Sequence, residues 1–248
     1  EGKMDRVLNM QTSFFGSFAD IKFETEMVIK LLTALKDDGF VPGTADIASV
    51  NFKTGQMFVD SRLQLASPDK TWSVVFLPDR IDFNYNYQMG TEEHKSIDRL
   101  LVQSRELVEK VFSVLSGITG NRLALNCKLA LENMTGEELN QFCSRFTKPL
   151  EVYNQEPFVE WSVRLNSRGK CKISENKEEN CNRIIEMMQN DIQNNTEPNV
   201  SNHGVMLTID VNTLQQNMEQ RFQYSDLIHF DICAAKFIAD VTEEVERC

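Results

Sequence analysis

Residues 80–87, RIDFNYNY, alternate without a break: Ile81, Phe83, Tyr85 and Tyr87 on one parity, Arg80, Asp82, Asn84 and Asn86 on the other. Period two sends the two sets to opposite faces of a strand, one apolar and one polar. The apolar face has to be covered, and the chain supplies the cover at once. Over residues 92–115, Ile97, Leu100, Leu101, Leu107, Val108, Val111, Val114 and Leu115 recur at three- and four-residue steps, the stripe of a long amphipathic helix. The aromatic crowding of WSVVFLPDRIDFNYNYQMG (72–90) therefore reads as a strand packing one face against a helix, in preference to a platform for stacking bases. An antiparallel sheet keeps one face wet, which assigns Arg80, Asp82, Asn84 and Asn86 to solvent or to a partner.

The same grammar extends along the chain. A strand is expected over 6–17, and a helix over 21–38, where Phe23, Met27, Leu31, Leu32 and Leu35 share a face and Gly39 is a natural stop. Residues 40–53 read as loop with a short strand. Strands 56–65, 71–77 and 80–87 follow, joined by the turn signals Ser67-Pro68-Asp69-Lys70 and Pro78-Asp79. After the 92–115 helix come a strand at 122–132, a short helix at 135–146 and strands at 159–172, 182–188 and 205–211. A final long helix covers 224–246. Residues 190–204, NDIQNNTEPNVSNHG, are almost free of apolar side chains and read as a polar excursion. The resulting fold class is α+β, in two pseudo-repeated halves, 1–120 and 121–248. Each half is an antiparallel sheet with a short helix and a long covering helix, and the alternative of one continuous domain stays open. No residue identity links the halves, so the repeat is one of pattern only.

Chemistry leaves few marks. Neither glycine-rich phosphate loop nor nucleophile elbow occurs. His94, His203 and His229 lack metal-ligand spacing, and the six cysteines form no CxxC pair, so no metal and no cofactor is expected. The short acidic steps at 20–22 and 175–177, even with Asp79, make no compact nuclease site. His229, with Asp226 or Asp231 beside it and Arg122 elsewhere, is the one candidate for a site without a motif. The net charge of −11 repels phosphate backbones and anionic lipid. The opening residues, EGKMDRVLNM, lack the apolar core of a secretion signal, and no apolar run approaches the ~20 residues a bilayer requires. A cytoplasmic, acidic protein with reduced thiols is the expectation.

The stretches WSVVFLPDRIDFNYNY, NRLALNCKLAL, LTIDVNTL and LIHFDICAAKFIADVTEEV together resemble a sporadically distributed family of uncharacterised bacterial proteins of about this length. The resemblance falls on Trp72, Arg122, Asp210, His229, Phe237 and Thr242, covers about half of the chain and implies no activity. Asn126-Cys127 stands where the family pattern has a bulkier polar pair.

The functional expectation is a non-enzymatic, intracellular protein-binding or accessory factor that uses open sheet faces. Its candidate contacts are Arg80, Asp82, Asn84 and Asn86 in the first half, with Arg164 and Arg168 in the second, and its partner is another protein. Membrane is excluded from the expectation and nucleic acid is disfavoured, while a homo-oligomer is left open. The alternatives are an enzyme with a site near His229 and a nucleic-acid-binding saddle.

Overall fold

The computed structural model describes residues 4–19, 24–50, 53–88, 95–148, 160–174, 176–193 and 201–247. They build β1 (Met4–Phe15), α1 (Thr25–Ala34), β2 (Val41–Val50), β3 (Met57–Ala66), β4 (Trp72–Phe76), β5 (Arg80–Asn86) and α2 (Ile97–Val114). The chain continues with β6 (Arg122–Met134), α3 (Gly136–Phe146), β7 (Ser162–Ser174), β8 (Lys177–Gln193), β9 (Ser201–Thr213) and α4 (Tyr224–Glu246).

The strands form one nine-stranded sheet in the order β2-β3-β4-β5-β1-β6-β9-β8-β7, every neighbouring pair antiparallel. This overturns the expectation of two pseudo-repeated halves with a sheet each. The two sides of the chain are joined by β1 and β6, which pair antiparallel in the middle of the sheet from Phe15↔Arg122 to Met4↔Leu131. As edges of separate sheets, both would present long rows of unpaired backbone groups; paired, each satisfies the other.

Period two then places one apolar layer across the sheet. Tyr85, Met10, Cys127 and Ile209 lie in register on four successive strands, each at most 3% exposed. Beside them Phe14 and Phe83 meet Phe112 of α2, with ring centroids 5.0 and 6.2 Å apart. Burying aromatic surface of this size is the main favourable term in such a layer. The stripe of α2 (Leu100, Leu101, Ser104, Leu107, Val108, Val111, Phe112) and that of α4 (Leu227, Phe230, Asp231, Ala234, Ile238, Val241, Val245) cover the same side. The two helices also touch, with Phe112 stacked on Tyr224 at 5.6 Å. α1 packs beside α2, and α3 packs at the end of α4, where Phe142 meets Trp161 at 5.8 Å. Thr135 and Glu138 close a capping box at the start of α3.

Element boundaries differ from expectation in several places, β8 for one beginning at Lys177 and not at 182. Residues 41–50 are a full strand along the edge of the sheet, paired with β3 throughout; Pro42 and Gly43 obscured it, and an edge position is where a strand tolerates proline. The helix expected over 21–38 is α1 followed by a single 3-10 turn, Lys36–Asp38, while 20–23 lie outside the described residues. The polar excursion at 190–204 is a continuation of strand pairing, Asn190↔Gly204 to Gln193↔Ser201, with 194–200 outside the described residues.

Candidate functional site

All six candidate residues belong to the parity that points away from α2 and α4. Strand register orders this second face into rows. Arg80, Phe15 and Arg122 lie side by side on β5, β1 and β6. The next row runs Asp82, Ser13, Ala124, Asn212, Asn182 and Arg168; the one after runs Asn84, Gln11, Asn126, Asp210, Ile184 and Asn166. A fourth row holds Asn86, Asn9, Lys128, Thr208, Glu186 and Arg164. Residues expected on two separate sheets thus share one surface, because β1 and β6 weld the sheet into one.

Within and between the rows the polar side chains bind one another. Asp82 accepts from Ser13 Oγ at 2.6 Å and from Arg80 Nε at 2.8 Å, and is 4% exposed. Asp82 is therefore a buried anchor for its neighbours, contrary to its expected place in solvent. Asn9 Nδ2 donates to Asn86 Oδ1 at 2.9 Å. On the far side Asn182 Nδ2 donates to Asn212 Oδ1 at 3.2 Å, and Asn212 Nδ2 to Asp210 Oδ1 at 3.0 Å. Asn84 is half-buried and Asn86 exposed. Arg164 and Arg168 on β7 are both exposed; Arg164 Nε stands 3.9 Å from Glu186, a loose surface pair of small energetic weight.

The guanidinium of Arg122 lies 4.7 Å from the centre of the Phe15 ring, with that of Arg80 over the same ring at 5.8 Å. Burial is the main pull lowering the pKa of Arg122; Asp210 opposes it and the charge of Arg80 adds to it. The Nε of Arg122 is enclosed and has no hydrogen-bond partner among the described residues. In the sequence Arg122 is a candidate only for the alternative site with His229. The signal for its place on this face is the alternation of RLALNCKL, which puts Arg122, Ala124, Asn126 and Lys128 on one parity.

The residues of the alternative site do not converge. His229 is exposed on α4, its Nδ1 2.8 Å from the carbonyl of Ser225 in its own helix. Asp226 accepts from Lys177 Nζ at 3.0 Å and from the backbone of Gln223 at 2.9 Å, Asp231 points into the core, and Arg122 is on the opposite side of the sheet. The acidic steps at 20–22 and 175–177 lie wholly or partly outside the described residues. Among the described residues no group of three His, Cys, Asp or Glu is arranged to hold a metal ion. Cys127, Cys143, Cys171, Cys181 and Cys233 are free thiols; Cys248 lies outside the described residues. No described helix is long and apolar enough to cross a membrane.

No family model matches the chain. No curated protein matches it either. The functional reading rests on the surface itself.

Proposed function

We propose that this is an intracellular, non-enzymatic protein-binding factor, and that the polar face of the sheet is its recognition surface. The observation that carries the reading is the row structure. Arg80, Asp82, Asn84, Asn86, Arg164 and Arg168 fall on one continuous face spanning six adjacent strands, and α2 and α4 pack on the other. Amide side chains dominate the middle of that face. Each offers a donor and an acceptor, which suits hydrogen bonding to a polypeptide. The hydrogen bonds between them hold the middle rows in place before any partner arrives, which lowers the cost of ordering on binding. Arg164 and Arg168 put positive charge at the β7 border of a molecule with net charge −11, a contrast that orients a partner with an acidic segment.

The test is site-specific photocrosslinking in cells, with the probe at Asn84 or Asn126 on the proposed surface and at Lys236 on the solvent side of α4. A crosslinked protein species is expected from Asn84 and Asn126 and not from Lys236. Arg164→Glu with Arg168→Glu should deplete that species while the melting temperature stays put. Equal crosslinking from all three positions would overturn the reading.

A further inference from the structure

On the helix side of the sheet, away from the proposed surface, α2 and the β3–β4 turn border an open cavity of about 380 Å³. Its apolar wall is Phe40, Pro68, Trp72 and Leu107. Its charged and amide groups are Asp38, Asp69, Lys95, Gln103 and Glu106, with the hydroxyls of Ser67 and Thr71 beside them. The volume lies at the small end of the ~300–1,000 Å³ range of small-molecule sites, and the mixture of aromatic wall and few polar groups is their usual make-up.

Charge pairing inside the cavity leaves one group over. Asp38 is met by Lys110 Nζ at 2.6 Å. Asp69 is a structural acceptor: its Oδ1 takes Ser67 Oγ at 2.5 Å and the Thr71 backbone at 3.1 Å, and its Oδ2 takes Thr71 Oγ1 at 2.8 Å. Burial works to raise the Asp69 carboxyl, but these hydrogen bonds and the charge of Lys95 outweigh it and hold it below the usual carboxylate range. Lys95 acts on Asp69 through its charge alone, without an ion pair between them, and its ammonium stands 5.7 Å from the Tyr85 ring. Glu106 has no hydrogen bond or ion pair with any described residue. One turn earlier on the same helix, Gln103 Oε1 is enclosed and has no hydrogen-bond partner among the described residues.

The cavity therefore holds one exposed carboxylate without an ion pair among the described residues, Glu106, beside an aromatic wall. Its lining carries three carboxylates, Asp38, Asp69 and Glu106, against one ammonium, Lys95. The geometry points to a site for an organic ammonium on an apolar stem, with the stem against Trp72 and Phe40 and the ammonium donating to Glu106. A free small amine and a lysine side chain of a polypeptide share that chemistry.

Nuclear magnetic resonance of the isotope-labelled chain tests it, because the two tryptophan indole N–H signals form an internal control. Trp72 lines the cavity, whereas Trp161 is buried against Phe142 of α3. Phenethylamine should shift the Trp72 signal in a saturable way and leave Trp161 unmoved. Phenethyl alcohol should bind about tenfold more weakly, and Glu106→Gln should weaken the amine by a similar factor, since the lost contact is a charge-assisted hydrogen bond. Nα-acetyl-lysine amide, titrated alongside, distinguishes the two sources, and whichever binds more tightly names the natural occupant. Failure of both amines to move Trp72, equal affinity for amine and alcohol, or an unchanged affinity in Glu106→Gln would each overturn the proposal.

Discussion

Asp231 sits wholly inside the protein on the sheet-facing stripe of α4. Its Oδ2 accepts from Thr12 Oγ1 at 3.3 Å, Thr12 Oγ1 in turn accepts from Ser104 Oγ at 3.1 Å, and its Oδ1 has no partner among the described residues. Burial pushes its pKa up to about 8, against the smaller opposing pull of the Arg105 guanidinium and the Thr12 hydrogen bond. An unfolded aspartate loses its proton near pH ~3.9. Between these values the native state holds the proton more tightly than the unfolded state, so this residue's contribution to stability falls as pH rises. Asp231→Asn keeps the shape and removes the titration. The stability gap between the variant and the wild type should widen with pH, by at most roughly 1.4 kcal/mol per unit, from about pH 4 to about pH 8 and then level off. Urea melts across that range measure it, and a gap independent of pH would show that Asp231 is ionised in the fold. The same apolar interior pushes the Cys127 thiol up to about 12, which makes it inert packing.

At the scale of elements, two glycines separate sheet geometry from helix propensity. Gly204 lies on β9 opposite the irregularity between Leu131 and Met134 of β6, and a Cβ there would stand 2.3 Å from the Leu131 carbonyl oxygen. Neither backbone can give way without breaking the ladder, so Gly204→Ala should cost about 1–3 kcal/mol. Gly136 in the first turn of α3 has open space, with nothing within 4 Å, where a Cβ would stand. Gly136→Ala should therefore stabilise by about 0.4–1 kcal/mol through the unfolded chain. Thermal melts of the two variants should move in opposite directions; a neutral Gly204→Ala would mean that β6 and β9 do not approach closely at the bulge. Element existence was largely legible at this scale. The alternation of 80–87 and the stripes of 97–114 and 224–246 each use a single period over enough residues to stand out. β2 and the ends of β8 and β9 were not, because no sustained alternation marks them in the sequence and backbone pairing with a neighbouring strand holds them.

At the scale of the whole molecule, the pairing of β1 with β6 predicts cooperative unfolding. One hydrophobic cluster runs from Val7 to Val245 and includes both Trp72 and Trp161. Single-tryptophan variants, Trp161→Phe to watch Trp72 and Trp72→Phe to watch Trp161, should each give one transition that coincides with the loss of helix signal in that same variant. Helix loss in two steps, with Trp72 and Trp161 each following a different one, would show that the segments on either side of the central seam unfold independently.

The sequence by itself determined which residues face which way. A period of two or of 3.6 is a local property, and it assigned the buried parity of β5, the covering stripes of α2 and α4, and the polar parity that carries Arg80, Asn84, Asn86, Arg164 and Arg168. Only the tertiary structure decided lateral order: that β1 takes β5 on one side and β6 on the other, making one sheet where two were expected. Lateral order depends on which backbone edges meet, and edges carry the same N–H and C=O groups whatever the side chains. The burial of Asp82, the meeting of Asp231 with Thr12 and the cavity beneath Glu106 follow from that order, since each joins residues far apart in the chain.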